Sequence, residues 1–249
     1  MPGLDLAGLN HPARTVSGDL YDVVVLGPER AAILCADVSG KGFASALMAA
    51  EIQAYVRATL RASCVFADPS RGPLPVRVAS LVNAELCRHH QASGRYATMF
   101  LGEYDARDRS LNYVNAGQNP PLLMSPGGEP AVHLTTGGPP LGLFEDATWE
   151  AGTATVPKGG TVLVYTDGVI EARNPDGAEF GMERLIEICS TRCGCDALLG
   201  NVMNAVRVWC REGDQADDIT LLAFAPAHRG SSTTTASPWP TPTHNVARP

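Results

Sequence analysis

The sequence has no run of basic residues, and its 19 Lys and Arg are outnumbered by 26 Asp and Glu, for a net charge of −7. Nucleic-acid binders need clustered Lys and Arg to displace counterions, so no nucleic-acid partner is expected. Missing too are the roughly eighteen consecutive apolar residues of a spanning helix and the charged-then-apolar leader of a secreted chain. The expectation is a cytoplasmic protein with no membrane partner. Neither G-x-G-x-x-G nor G-x4-G-K-[ST] occurs, which removes the common phosphate-cradling nucleotide loops. The 7 cysteines are odd in number and lack a paired C-x2-C. Cys189, Cys193 and Cys195 are spaced C-x3-C-x-C with no histidine nearby, so neither a disulfide framework nor a structural zinc is indicated.

Hydrophobic residues make up 45% of the 249, enough to bury a full core. Composition shifts beyond Pro226 to Ser, Thr and Pro (SSTTTASPWPTPT) without apolar periodicity. Residues 1–226 are therefore read as one folded domain, and 227–249 as a disordered tail too poor in apolar surface to offset its ordering entropy.

Within the domain, Val23 to Leu26 and Ala31 to Ala36 are short β-rich runs joined by Gly27, Pro28, Glu29 and Arg30, a hairpin pattern. The residue before the first strand and the one after the second lie at the same end of such a hairpin, which makes Asp19 and Asp37 neighbours. Two carboxylates meeting there repel and take up protons unless a cation lies between them. Taken alone, Asp37 before the turn Ser39-Gly40-Lys41-Gly42 also reads as a solvated turn residue or helix cap.

From Phe43 the spacing turns helical, with Leu47, Met48, Ile52, Tyr55, Val56 and Leu60 as the apolar face. A loop over 67–75 leads to a second helix opened by Pro75 and carrying Val78, Leu81, Val82 and Leu86, with His89 and His90 as solvated residues at its end. Strands then follow strands (Tyr96 to Tyr104, Leu111 to Asn115, Leu122 to Met124), which predicts a largely antiparallel sheet in an α+β fold and excludes a doubly wound one. Thr161 to Thr166 is an apolar strand ending in Asp167-Gly168, the same strand–Asp–turn design as at Asp37. Asp196 is placed to cap a late helix with Leu198, Val202, Val206 and Trp209 on one face, and Asp217-Asp218 precede a last strand, Ile219 to Ala225.

Asp19, Asp37, Asp167 and Asp217 thus each sit at the margin of a strand. An all-carboxylate oxygen set suits hard cations such as Mg²⁺ or Mn²⁺, whereas zinc or copper recruits His or Cys. None of the 6 histidines lies in these motifs.

In this order and at these separations, GDLYD, ADVSGKG, GRYATMF, NAGQNPPLL, LVYTDGVIEARN and DDIT resemble the SpoIIE/RsbU branch of the PPM metal-dependent serine/threonine protein phosphatases. The resemblance implies a four-layer αββα sandwich, two mostly antiparallel sheets flanked by helices. It implies a bridging pair of Mn²⁺ or Mg²⁺ ions on Asp19 and Asp37, which are also the candidate catalytic residues. The Val38 backbone carbonyl, Asp167 and Asp217 would complete the shells, with Asp218 as the alternative to Asp217. The implied reaction is hydrolysis of a phosphoserine or phosphothreonine protein without a covalent phosphoenzyme. The implied substrate is a STAS-type anti-anti-sigma factor in a bacterial partner-switching pathway, and a homodimer is compatible with it. The alternative is a pseudophosphatase that binds a regulatory partner without turnover. Lys41 and Gln118 stand where many relatives have histidine, so the histidine's role is not carried over to either position.

Overall fold

A computed structural model describes residues 1–65, 72–211 and 215–227. The chain opens with strands β1 (Leu4–His11), β2 (Asp19–Gly27) and β3 (Arg30–Val38), followed by helices α1 (Phe43–Val65) and α2 (Leu74–His90). Strands β4 (Ala97–Asp105), β5 (Ser110–Ala116) and β6 (Leu122–Met124) come next, then the short β7 (Val132–His133), β8 (Gly137–Gly138) and β9 (Gly152–Thr155). Strand β10 (Thr161–Tyr165), helices α3 (Asp167–Ile170), α4 (Met182–Cys189) and α5 (Cys195–Cys210), and strand β11 (Ile219–Pro226) complete it.

These strands form two sheets, one ordered β1-β11-β10-β6-β7 and the other β2-β3-β4-β5-β8 with β9 also on β5. Every pairing is antiparallel except β5 with β8. Strand β3 shows why the sheets stack. Its residues alternate between faces, so Ala32, Leu34 and Ala36 pack under α1 and α2, while Ala31, Ile33 and Cys35 face the other sheet's Val162, Val164, Leu222 and Phe224. With both faces covered, the strand reads as one apolar run. On the far side, Leu163, Tyr165, Leu221 and Ala223 bury the apolar faces of α4 and α5. The result is a helix–sheet–sheet–helix sandwich, the α+β fold expected.

Several local expectations need correcting. Strand β1 is absent from the sequence reading because its pattern is mixed and its partner β11 lies at the far end of the chain, where Leu4 pairs with Pro226. Leu47 and Leu81 are exposed at 72% and 54%. The buried stripe of α1 runs Met48, Ile52, Val56, Leu60, and each misassigned leucine sits one residue, about 100°, off its helix's stripe. Asp196 does not cap α5: the N-cap is Gly194, and Asp196 lies within the first turn, where its charge favours the dipole. His90 is not simply solvated, because its Nε2 lies 2.6 Å from Glu51 Oε2 of α1 and ties the two helices together. The tail beyond Ala227 and the part of the 67–75 loop before Gly72 lie outside the described residues.

Candidate metal centre

The β2–β3 register sets Asp19 directly opposite Asp37, and Asp37 in turn opposite Thr98 of β4. Asp19 is 6% exposed. Its Oδ2 accepts from Thr166 Oγ1 at 2.7 Å, and Thr166 Oγ1 accepts from the Thr220 amide at 2.9 Å. Asn10 Nδ2 donates to the Asp19 carbonyl and to Thr220 Oγ1, at 3.1 and 2.9 Å. Strands of both sheets therefore hold one carboxylate in place.

Asp167 is delivered by the end of β10 into the first turn of α3. The glycine after it has a specific purpose: a Cβ on Gly168 would fall 2.1 Å from the Asp218 carbonyl. Only glycine lets this turn lie against the Asp217-Asp218 segment, so the sheet edge brings Asp167 and Asp217 within each other's field. On the opposite side, Gly40 and Gly42 have φ of 88° and 89°, and these left-handed residues turn the chain from β3 into α1 beside Asp37.

Electrostatics follow from this crowding. Burial, followed by repulsion from Asp37, pushes Asp19 up to about 9. Burial and then Asp167 push Asp37 up to about 6, and Asp167 is itself raised by burial and by Asp217. Both carboxylates are thereby pushed toward the protonated form, the outcome expected of like charges crowded at one buried site.

Asp217 and Asp218 divide their work. Asp218 accepts the Ala13 amide on Oδ1 and the Gly18 amide on Oδ2, both at 2.7 Å, and is 9% exposed. Both of its oxygens are thereby used to hold the segment that feeds β2. Asp217 projects from the surface, where Lys41 Nζ lies 2.9 Å from its Oδ2 and also donates to the Ala216 carbonyl. Gln118 is buried and structural: its Oε1 accepts from Thr98 Oγ1 of one sheet and its Nε2 donates to the Tyr165 carbonyl of the other at 3.1 Å.

Among the described residues, no group of three or more His, Cys, Asp or Glu side chains stands close enough together to hold a metal ion as arranged. The fit lies in donor chemistry: hard oxygens only, desolvated and mutually repelling, whose protonation and Lys41 contact a divalent cation would replace. The supporting residues Asn10, Thr166 and Thr220 escaped the sequence reading. Thr166 was within reach of it, as the polar residue closing an apolar strand just before Asp167, whereas Asn10 acts through the unforeseen β1.

Residues 27–226 match the family described as Stage II sporulation protein E (SpoIIE). The chain is 29% identical over 231 residues to Protein IcfG of Synechocystis sp. (strain ATCC 27184 / PCC 6803 / Kazusa), covering 85% of this chain and 36% of that protein. It is 27% identical over 225 residues to Phosphoserine phosphatase RsbU of Bacillus subtilis (strain 168), covering 89% of this chain and 63% of that one. The chain thus spans from about a third to just under two thirds of the length of these relatives. Among solved structures, the SiaA-PP2C domain of Pseudomonas aeruginosa superposes with a TM-score of 0.77 at 21% identity, covering 89% of this chain and 86% of that one. RsbX in complex with magnesium gives 0.58 at 18% identity, covering 90% and 94%. At these identities the structural likeness establishes a shared fold, with the same two sheets and flanking helices.

Proposed function

The chain belongs to the SpoIIE family, and from that premise we propose that it is a metal-dependent protein serine/threonine phosphatase. The observation that carries the reading is that Asp19, Asp37, Asp167 and Asp217, from separate strand ends, lie within one another's field at one edge of the sandwich, where burial and mutual repulsion raise the first three. The RsbU relative is by name a phosphoserine phosphatase, which supports the same chemistry, and the magnesium complex of RsbX supports a hard divalent ion in this fold.

In this reading Asp19 and Asp37 would hold a pair of Mn²⁺ or Mg²⁺ ions between them, with the Val38 carbonyl, Asp167 and Asp217 as further ligands. Bound ions supply the positive charge that activates water and neutralises a phosphoryl group as its ester oxygen leaves. The chain's own residues do the positioning. Thr166 and Asn10 fix Asp19, the Gly168 turn fixes Asp167, and Asp218 remains a structural clasp because its oxygens are already engaged. Lys41 at the rim pairs with Asp217 and would give it up when an ion is bound. The substrate we propose is a phosphoserine protein of the STAS type, which would make the chain an effector of sigma-factor partner switching.

Incubating the protein with Mn²⁺ and a phosphoserine STAS protein should release phosphate, and Asp37→Ala should abolish the release. Equal rates in the two proteins would refute the reading. One observation favours a second reading, a partner-binding module without turnover: the Lys41–Asp217 pair engages a would-be ligand. Calorimetric titration with Mn²⁺ separates the two, since absence of binding leaves only the module.

A further inference from the structure

A cavity of about 490 Å³ opens beside the metal centre and shares wall residues with it, Lys41, Gly168 and Asp217. Its other walls include His11 at the end of β1, the Glu171–Arg173 segment after α3, the Met203, Val206 and Arg207 face of α5, and Gln215 and Ile219. The volume is in the usual range for a specific binding site. Met203, Val206 and Ile219 make part of the lining apolar, and Lys41, Arg173 and Arg207 bring cationic groups to it. Lys41 and Arg173 already have partners, at 2.9 Å to Asp217 and 2.7 Å to Glu179. Arg207 makes no ion pair with a described residue and is exposed, so it is the cation left for an incoming anion.

We propose that this cavity is the subsite for the polypeptide flanking the phosphoserine: its apolar lining takes an aliphatic side chain of the substrate, and Arg207 pairs with an acidic one. The proposal rests on the phosphatase reading and adds to it a sequence preference. The shared wall carries the argument. Anything seated in the cavity lies next to Asp217, so a chain entering the metal centre with its phosphate has its neighbouring residues beside α5. An exposed guanidinium beside the apolar part of a mixed lining selects an acidic group close to an apolar one, and for a phosphoprotein substrate both are supplied by the flanking chain.

The test compares phosphoserine peptides carrying Glu and Leu near the phosphoserine, on either side, with matched peptides in which Glu is replaced by Ala. With Mn²⁺ present, the protein should favour one Glu peptide in kcat/KM by about fivefold, the size of a single exposed charge pair. The preference should reside in KM, disappear in Arg207→Glu and return in Arg207→Lys. Fluorescence anisotropy of the same peptides on the Asp37→Asn protein reads the subsite without turnover. An active enzyme whose Arg207→Glu variant treats Glu and Ala peptides in the same ratio as the parent overturns the subsite and leaves the phosphatase reading intact. An inactive protein that still distinguishes the peptides through Arg207 in anisotropy does the reverse. Inactivity together with no discrimination overturns both.

Discussion

Adjacent aspartates with opposite duties offer the sharpest perturbation. Asp218→Ala removes the acceptor for the Ala13 and Gly18 amides, two charge-assisted bonds of 2.7 Å at a site 9% exposed. An unsatisfied buried donor costs about 1–3 kcal/mol, so the pair should cost roughly 2–6 kcal/mol. For a domain of this size that corresponds to a fall in Tm of about 4–24 °C. Asp217→Ala removes only a pair whose side chains are 39% and 43% exposed, contributing about 0–1 kcal/mol, and should shift Tm by no more than about 3 °C. Mn²⁺ binding should respond in the opposite order. Calorimetry on Asp217→Ala should show weakened or missing ion uptake, while Asp218→Asn, which keeps one acceptor oxygen, should bind Mn²⁺ with about half the stability loss of the alanine variant. Thermal melts and titrations on the same preparations check both. The assignment fails if Asp218→Ala melts like the parent or if Asp217→Ala binds Mn²⁺ unchanged.

Two further outcomes follow from the same geometry. Asp19 is raised from 3.8 to about 9, so between these values the folded state holds a proton that the unfolded state has released, and stability falls as pH rises; Asp37 adds the same effect up to about 6. Chelator-treated protein should therefore melt higher at pH 5 than at pH 8. Mn²⁺ should narrow that gap and release protons on binding near pH 7.5, measurable by calorimetry in buffers of different ionisation enthalpy. A flat melting profile together with no proton release would contradict the raising of Asp19 and Asp37. Gly168→Ala places a Cβ 2.1 Å from the Asp218 carbonyl and should cost about 1–3 kcal/mol while weakening Mn²⁺ uptake, because the turn carrying Asp167 must retreat from Asp217. Unchanged Tm and unchanged Mn²⁺ affinity would contradict the close approach.

Much of this molecule was legible before any coordinates, because the decisive features are local. The hairpin pattern from Val23 to Ala36 was enough to bring Asp19 and Asp37 to the same end, whereas their direct opposition depends on a register shift between Val25 and Gly27 that counting does not show. The continuous apolar run of β3 likewise announced a strand covered on both faces. Helical spacing located α1 and α2, although it misjudged Leu47 and Leu81, because the edge of a buried stripe is set by what the helix packs against.

What the tertiary structure alone decided depends on contacts across the whole chain. Asn10 reaches Thr220 only because β1 pairs with β11, and Asp218 parts from Asp217 only because the Ala13 and Gly18 amides meet it from the other end of the domain. Two neighbouring aspartates are chemically identical in a sequence. They become a structural clasp and a candidate ligand when one carboxylate is used up by buried amides and the other is left facing Lys41. Gln118 likewise became an inter-sheet tie through Thr98 and Tyr165. Types of residue and short-range spacing pointed to an acidic candidate site for a hard cation, and long-range hydrogen bonding determined which carboxylate oxygens are engaged and which are not.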